Sequence, residues 1–96
     1  MAKGYWIASV TVNDMDKYKG YVEAAPAAFK KFGGVYLARG GRHKQLEGEG
    51  RSRNVVIEFP SMQAAEDCYN SAEYQAACAK RAGAAIISVV VVEGLE

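Results

Sequence analysis

The chain has 96 residues, half of them hydrophobic and 24% charged, which suits one small globular domain over residues 1–96 and leaves no room for a second. Twelve Lys and Arg against eleven Asp and Glu leave a formal charge of +1, too near balance to draw nucleic acid or an anionic membrane, so neither is expected as a partner. One His and two Cys make a four-ligand zinc site unexpected, and no metal or other cofactor is expected.

Tyr5 to Val12 alternates, with Trp6, Ala8, Val10 and Val12 on one side and Tyr5, Ile7, Ser9 and Thr11 on the other, the period of a strand. Asn13 and Asp14 offer capping oxygens, and Tyr18, Tyr21, Val22, Ala25, Phe29 and Phe32 then recur at helical steps until Gly33-Gly34 stops them. Pro26 lies inside that run and predicts a kink or a helix in two pieces. Val35 to Arg39 reads as a second strand, expected to resume near His43 after a glycine bulge and to turn at Gly48. Asn54 to Phe59 is the third strand, with Val55, Ile57 and Phe59 on one face and Asn54, Val56 and Glu58 on the other. Ser61 caps a helix carrying Ala64, Ala65, Cys68 and Tyr69, and Ser71 caps a further segment through Arg81, closed by Gly83. Ile86 to Glu93 is the last strand.

Strand, helix, strand, strand, helix, strand predicts an α+β, ferredoxin-like βαββαβ domain, its helices on one face of a four-stranded antiparallel sheet. The other face, with Tyr5, Ile7, Ser9, Thr11, Val56 and Glu58, mixes apolar and polar groups, and no remaining segment is long enough to cover it. An uncovered half-apolar face marks an interface, so a homodimer packed sheet to sheet is expected.

The N-terminus runs straight into the first strand without a long apolar signal region, and the longest apolar run, Val89-Val90-Val91-Val92, is far short of a membrane span. The cytoplasm is the expected compartment. Cys68 and Cys78 sit in alanine-rich helical text and read as two unpaired structural thiols.

Several stretches together resemble one family. Gly4-Tyr5-Trp6-Ile7-Ala8, Tyr21-Val22 through Ala24-Ala25-Pro26, Phe32-Gly33-Gly34 and Tyr36-Leu37-Ala38-Arg39-Gly40-Gly41 come first. Leu46-Glu47-Gly48, Val56-Ile57-Glu58-Phe59-Pro60-Ser61, Tyr69 with Ser71, Glu73-Tyr74-Gln75 and Val92-Glu93-Gly94 follow in order. The sequence is similar to the DUF1330 family, whose members belong to the dimeric α/β-barrel superfamily. The resemblance implies that barrel assembly and makes Pro26 a family feature, but it implies little about activity, since the family is one of unknown function. By analogy of fold alone, the wider superfamily includes monooxygenases without cofactors, haem-dependent enzymes and small-molecule binding proteins, so fold does not decide the chemistry.

The candidate catalytic residues are Arg39, Glu58 and His43. Arg39 and Glu58 belong to otherwise apolar strands of one hairpin, and their alternation phases can bring them to one face near the barrel mouth. There Arg39 would bind a carboxylate or an enolate and Glu58 would accept a proton; the plainer alternative is an ion pair across the dimer interface. His43, the only histidine, is a general base or haem ligand on one reading and part of a solvated hairpin between Arg42 and Lys44 on the other.

Tyr5, Ser9, Tyr21 and Tyr36 are the candidate ligand-binding residues. Tyr18 and Trp6 extend the aromatic lining, with plain core as the alternative for Tyr18 and Tyr21. The loop from Gly40 to Arg53 is basic but has no interleaved aromatic residues, so it reads as a solvated loop.

Three functions fit these residues: a metal-free enzyme acting on a polarised carbonyl compound, a dimeric ligand-binding protein, and an assembly module. A catalytic reading requires Glu58 or His43 in a cavity beside an aligned donor, whereas binding requires the cavity alone.

Overall fold

The computed structural model describes residues 2–96. Seven elements follow in the order β1 (Gly4–Val12), α1 (Met15–Lys31), β2 (Val35–Arg39), β3 (Arg53–Phe59), α2 (Met62–Asn70), α3 (Ala72–Lys80) and β4 (Ala85–Glu93). The strands form one sheet in the order β2-β3-β1-β4, with every neighbouring pair antiparallel. This is the ferredoxin-like arrangement expected from the sequence.

Local chemistry sets most boundaries. Asp14 caps α1 by accepting from the Lys17 amide at 3.1 Å. At the other end Gly33, at φ +83°, allows its own amide and that of Gly34 to turn back onto the Lys30 and Phe29 carbonyls. Ser71 serves two helices: its hydroxyl donates to the Cys68 carbonyl at 2.7 Å and accepts from the Tyr74 amide at 3.1 Å. The expected break at Asn70-Ser71 is therefore a junction held by one side chain.

Two expectations are corrected. Helix α1 runs without interruption through Pro26, so it is not two pieces. Strand β2 does not resume near His43: residues 41–52 have no regular structure and are almost all exposed, Leu46 among them at 81%. One apolar side chain in that stretch buries too little surface to offset the entropy of ordering a strand.

The core lies between the sheet and the helices. Trp6 is 1% exposed and meets Phe29 and Tyr74 edge to face, with ring centroids 5.1 and 4.9 Å away. Ala8, Val10, Ile57 and Phe59 complete the sheet side, and Ala25, Ala65, Cys68 and Ala77 the helix side. Both cysteines are free, as expected. Among the described residues, no helix is long and apolar enough to cross a membrane.

Candidate functional site

The β2–β3 register shifts at one residue. Tyr36 lies opposite Ile57, but Ala38 lies opposite Val56 and Arg39 opposite Val55, so Leu37 is an extra residue in β2. A regular strand would have placed Arg39 opposite Asn54, on the same face as Glu58. The bulge turns Arg39 to the helix-covered face, beside Tyr36, and leaves Glu58 on the open face. Arg39 and Glu58 therefore form neither one site nor an ion pair within the chain.

Arg39 instead borders a cleft between the sheet and α1. Its walls are Trp6, Ala8 and Val10 from β1, Val55 and Ile57 from β3, Ile87 and Val89 from β4, and Val22, Ala25 and Phe29 from α1. Its polar groups are Tyr18, Tyr21, Tyr36, Arg39 and Arg53, with no carboxylate and no imidazole. Including its open mouth the cleft spans about 440 Å³, and its interior of about 30 Å³ has room for roughly one or two waters.

Burial governs the tyrosines. It pushes the Tyr21 hydroxyl up to about 12, against opposing effects of the Tyr74 hydrogen bond and the Arg81 charge. Tyr18 is raised by burial, partly offset by Arg53, and Tyr36 by burial, partly offset by Arg39 and then Arg53. All three hydroxyls stay protonated at neutral pH and so keep a proton to donate. Behind Tyr21, its hydroxyl meets that of the fully buried Tyr74 at 2.9 Å, and the Arg81 guanidinium lies over the Tyr21 ring at 5.0 Å.

Arg53 was missed by sequence reasoning, which began the third strand at Asn54 and left Arg53 to the loop. Extending the alternation of Val55, Ile57 and Phe59 one step back places Arg53 on the covered face, as observed. Its Nε is buried and has no hydrogen-bond partner among the described residues. An unpaired charged donor of this kind is a penalty of about 1–3 kcal/mol or more.

The remaining candidates lie elsewhere. Tyr5 and Glu58 are opposite each other on the open face, the Tyr5 hydroxyl 3.5 Å from Glu58 Oε2 and Lys3 Nζ 3.5 Å from Oε1. Ser9 is also on that face, in a depression with Ser88 and the loop residues Glu49, Gly50 and Arg51. Arg51 Nη2 donates to Ser88 Oγ at 3.4 Å, so the loop bends across the open face. His43 is exposed beside Arg42 and Lys44, with no cleft residue near it in that depression. Of the seven candidates, only Tyr21, Tyr36 and Arg39 meet in the cleft. Among the described residues, no three His, Cys, Asp or Glu side chains are grouped to hold a metal ion.

The model of the family described as "Domain of unknown function (DUF1330)" matches residues 3–95. The chain belongs to the DUF1330 family. This DUF1330 protein superposes on a protein of unknown function from Rhodopseudomonas palustris with a TM-score of 0.76 at 18% identity, covering 99% of this chain and 84% of that one. SnoaB, a cofactor-independent oxygenase from Streptomyces nogalater, gives 0.66 at 7% identity, covering 100% and 96%. A dimeric protein of unknown function and ferredoxin-like fold from Bacteroides fragilis gives 0.64 at 16% identity, covering 95% of each chain. At these identities the likeness is one of fold. No curated protein matches the chain.

Proposed function

We propose that this DUF1330 protein works as a homodimer, joined through its open sheet faces into an α/β barrel, and that each protomer binds a small organic molecule without a metal in the cleft under α1. One observation carries the binding reading. Three tyrosines and two arginines converge on an otherwise apolar cleft, and one of those arginines, Arg53, has its Nε buried without a partner among the described residues. The dimer is supported by an apolar open face, where Ile7, Ile86, Val90 and Val92 remain 40–56% exposed in one chain. The dimeric relative from Bacteroides fragilis supports it by analogy of fold.

The cleft chemistry favours binding over proton transfer. Glu58 and His43, the groups a general base would come from, are outside it. Turnover there would rest on neutral tyrosines and guanidiniums stabilising negative charge on a substrate oxygen. A second reading, an assembly module alone, draws support from the narrow interior.

Native mass spectrometry of gently purified protein separates these readings. A dimer that carries extra mass, or that takes up a small aromatic or carbonyl compound added to it, is the expected result. A dimer that takes up nothing favours assembly alone, and a monomer overturns the barrel.

A further inference from the structure

We propose that the molecule held in this cleft is a small organic carboxylate with an apolar body, its carboxylate gripped by Arg53 and covered by Arg39. This rests on the cleft being the binding site and names what it selects. Two guanidiniums border the cleft and no acidic side chain lines it, so the site carries uncompensated positive charge. Neither arginine belongs to an ion pair among the described residues, where Glu58 is taken by Lys3 and Glu73 by Lys31.

The two differ in freedom. Arg53 enters from the first residue of β3 with its Nε buried and unpartnered among the described residues, so a donor is already desolvated. Arg39 is exposed and stacks on Tyr36 with its guanidinium carbon 4.5 Å from the ring centroid. A ligand can displace Arg39 and Tyr36 together, because β2 is a five-residue edge strand paired on one side only. That movement opens the narrow interior at its β2 end.

A carboxylate fits better than a phosphate. Its two oxygens match the guanidinium fork, and it leaves the rest of the molecule apolar. Most of the wall beyond the arginines, Ala8, Val10, Phe29 and Ile57 among it, is apolar and suits the body of an organic acid better than a compact, strongly hydrated phosphate.

The test is calorimetric titration of the full-length protein with benzoate, its neutral analogue benzamide, and inorganic phosphate. Benzoate is expected to bind at least about tenfold more tightly than benzamide, and phosphate not to compete. Arg53→Gln should weaken benzoate about tenfold or more while leaving benzamide unchanged, and Arg42→Gln, in the exposed loop, should change neither. Should Arg53→Gln fail to fold, Arg39→Gln alters only an exposed side chain and should weaken benzoate several-fold. Equal affinity for benzoate and benzamide, or phosphate competing as well as benzoate, overturns the carboxylate. If benzamide binds as well as benzoate and Tyr36→Ala abolishes both, the cleft stands and only its anion selectivity falls. If the wild-type protein takes up neither at millimolar concentration, the cleft reading falls as well.

Discussion

Arg39 and Tyr36 share a face of the sheet although three positions separate them, and the guanidinium carbon of Arg39 lies 4.5 Å from the Tyr36 ring centroid. In a regular strand, residues an odd number apart point to opposite faces. The extra residue Leu37 removes that constraint, and a covered cationic site follows from it. Deleting Leu37 should leave Arg39 opposite Val55 on the covered face, now two positions from Tyr36 in a regular strand. Its side-chain proton resonances, shifted upfield by the Tyr36 ring in the wild-type protein, should stay shifted in the deletion. Shifts that collapse to ordinary positions would mean that Leu37 is not the extra residue and that the deletion turns Arg39 to the open face.

Gly40 and Gly48 separate backbone strain from displacement of Arg53. Both have positive φ, +65° and +69°, so Ala at either position should cost about 1–2 kcal/mol. A Cβ at Gly48 would meet open space, whereas one at Gly40 would collide with the Arg53 guanidinium. Urea denaturation should show similar losses for Gly48→Ala and Gly40→Ala, because the end of the Arg53 side chain can move. Only Gly40→Ala should weaken benzoate. Equal binding by the two variants would remove Arg53 from the site.

Alkaline pH should destabilise the protein through three buried acids. Burial pushes the Cys68 thiol and the Tyr21 hydroxyl each up to about 12, and raises the Tyr74 hydroxyl too. In the unfolded chain they ionise near their ordinary values, about 8.5 for the thiol and about 10 for the phenols. Raised folded values favour the folded state below the unfolded ones, and that contribution shrinks as pH climbs toward the folded ones. Each group should remove about 1.4 kcal/mol per pH unit once its unfolded form has ionised. Urea midpoints from neutrality to pH ~11 should fall from the thiol range onward. Cys68→Ala should delay the onset and Tyr74→Phe should reduce the steeper part. A midpoint constant across that range would show that these groups are not buried in solution.

Elements that follow from periodicity and capping were legible in the sequence. The alternation of β1, the stripe of α1 and the Ser61 and Ser71 caps all appear where the side-chain chemistry puts them. The site was half legible. Tyr21 and Tyr36 were identified, but the bulge that pairs Tyr36 with Arg39 has no residue signature, since Leu37 is an exposed residue in an apolar edge strand. Arg53 was hidden for a related reason. A charge at the end of a strand reads as loop, whereas a long arginine stem can bury its body along apolar neighbours.

The proposed dimer face can be tested without touching the cleft. Val90 is opposite Ile7 in the β1–β4 pair and 56% exposed, and both side chains point away from the helices. Lysine fits at this position in a single chain, because its ammonium reaches water, but two sheets packed on each other would desolvate the charge. Val90→Lys should therefore convert the dimer to a monomer in light scattering while far-UV circular dichroism stays unchanged. Thermal stability should lose its dependence on protein concentration, since the partner no longer stabilises the folded chain by mass action. A dimer that survives this charge must use another surface, and the barrel would then be the wrong assembly.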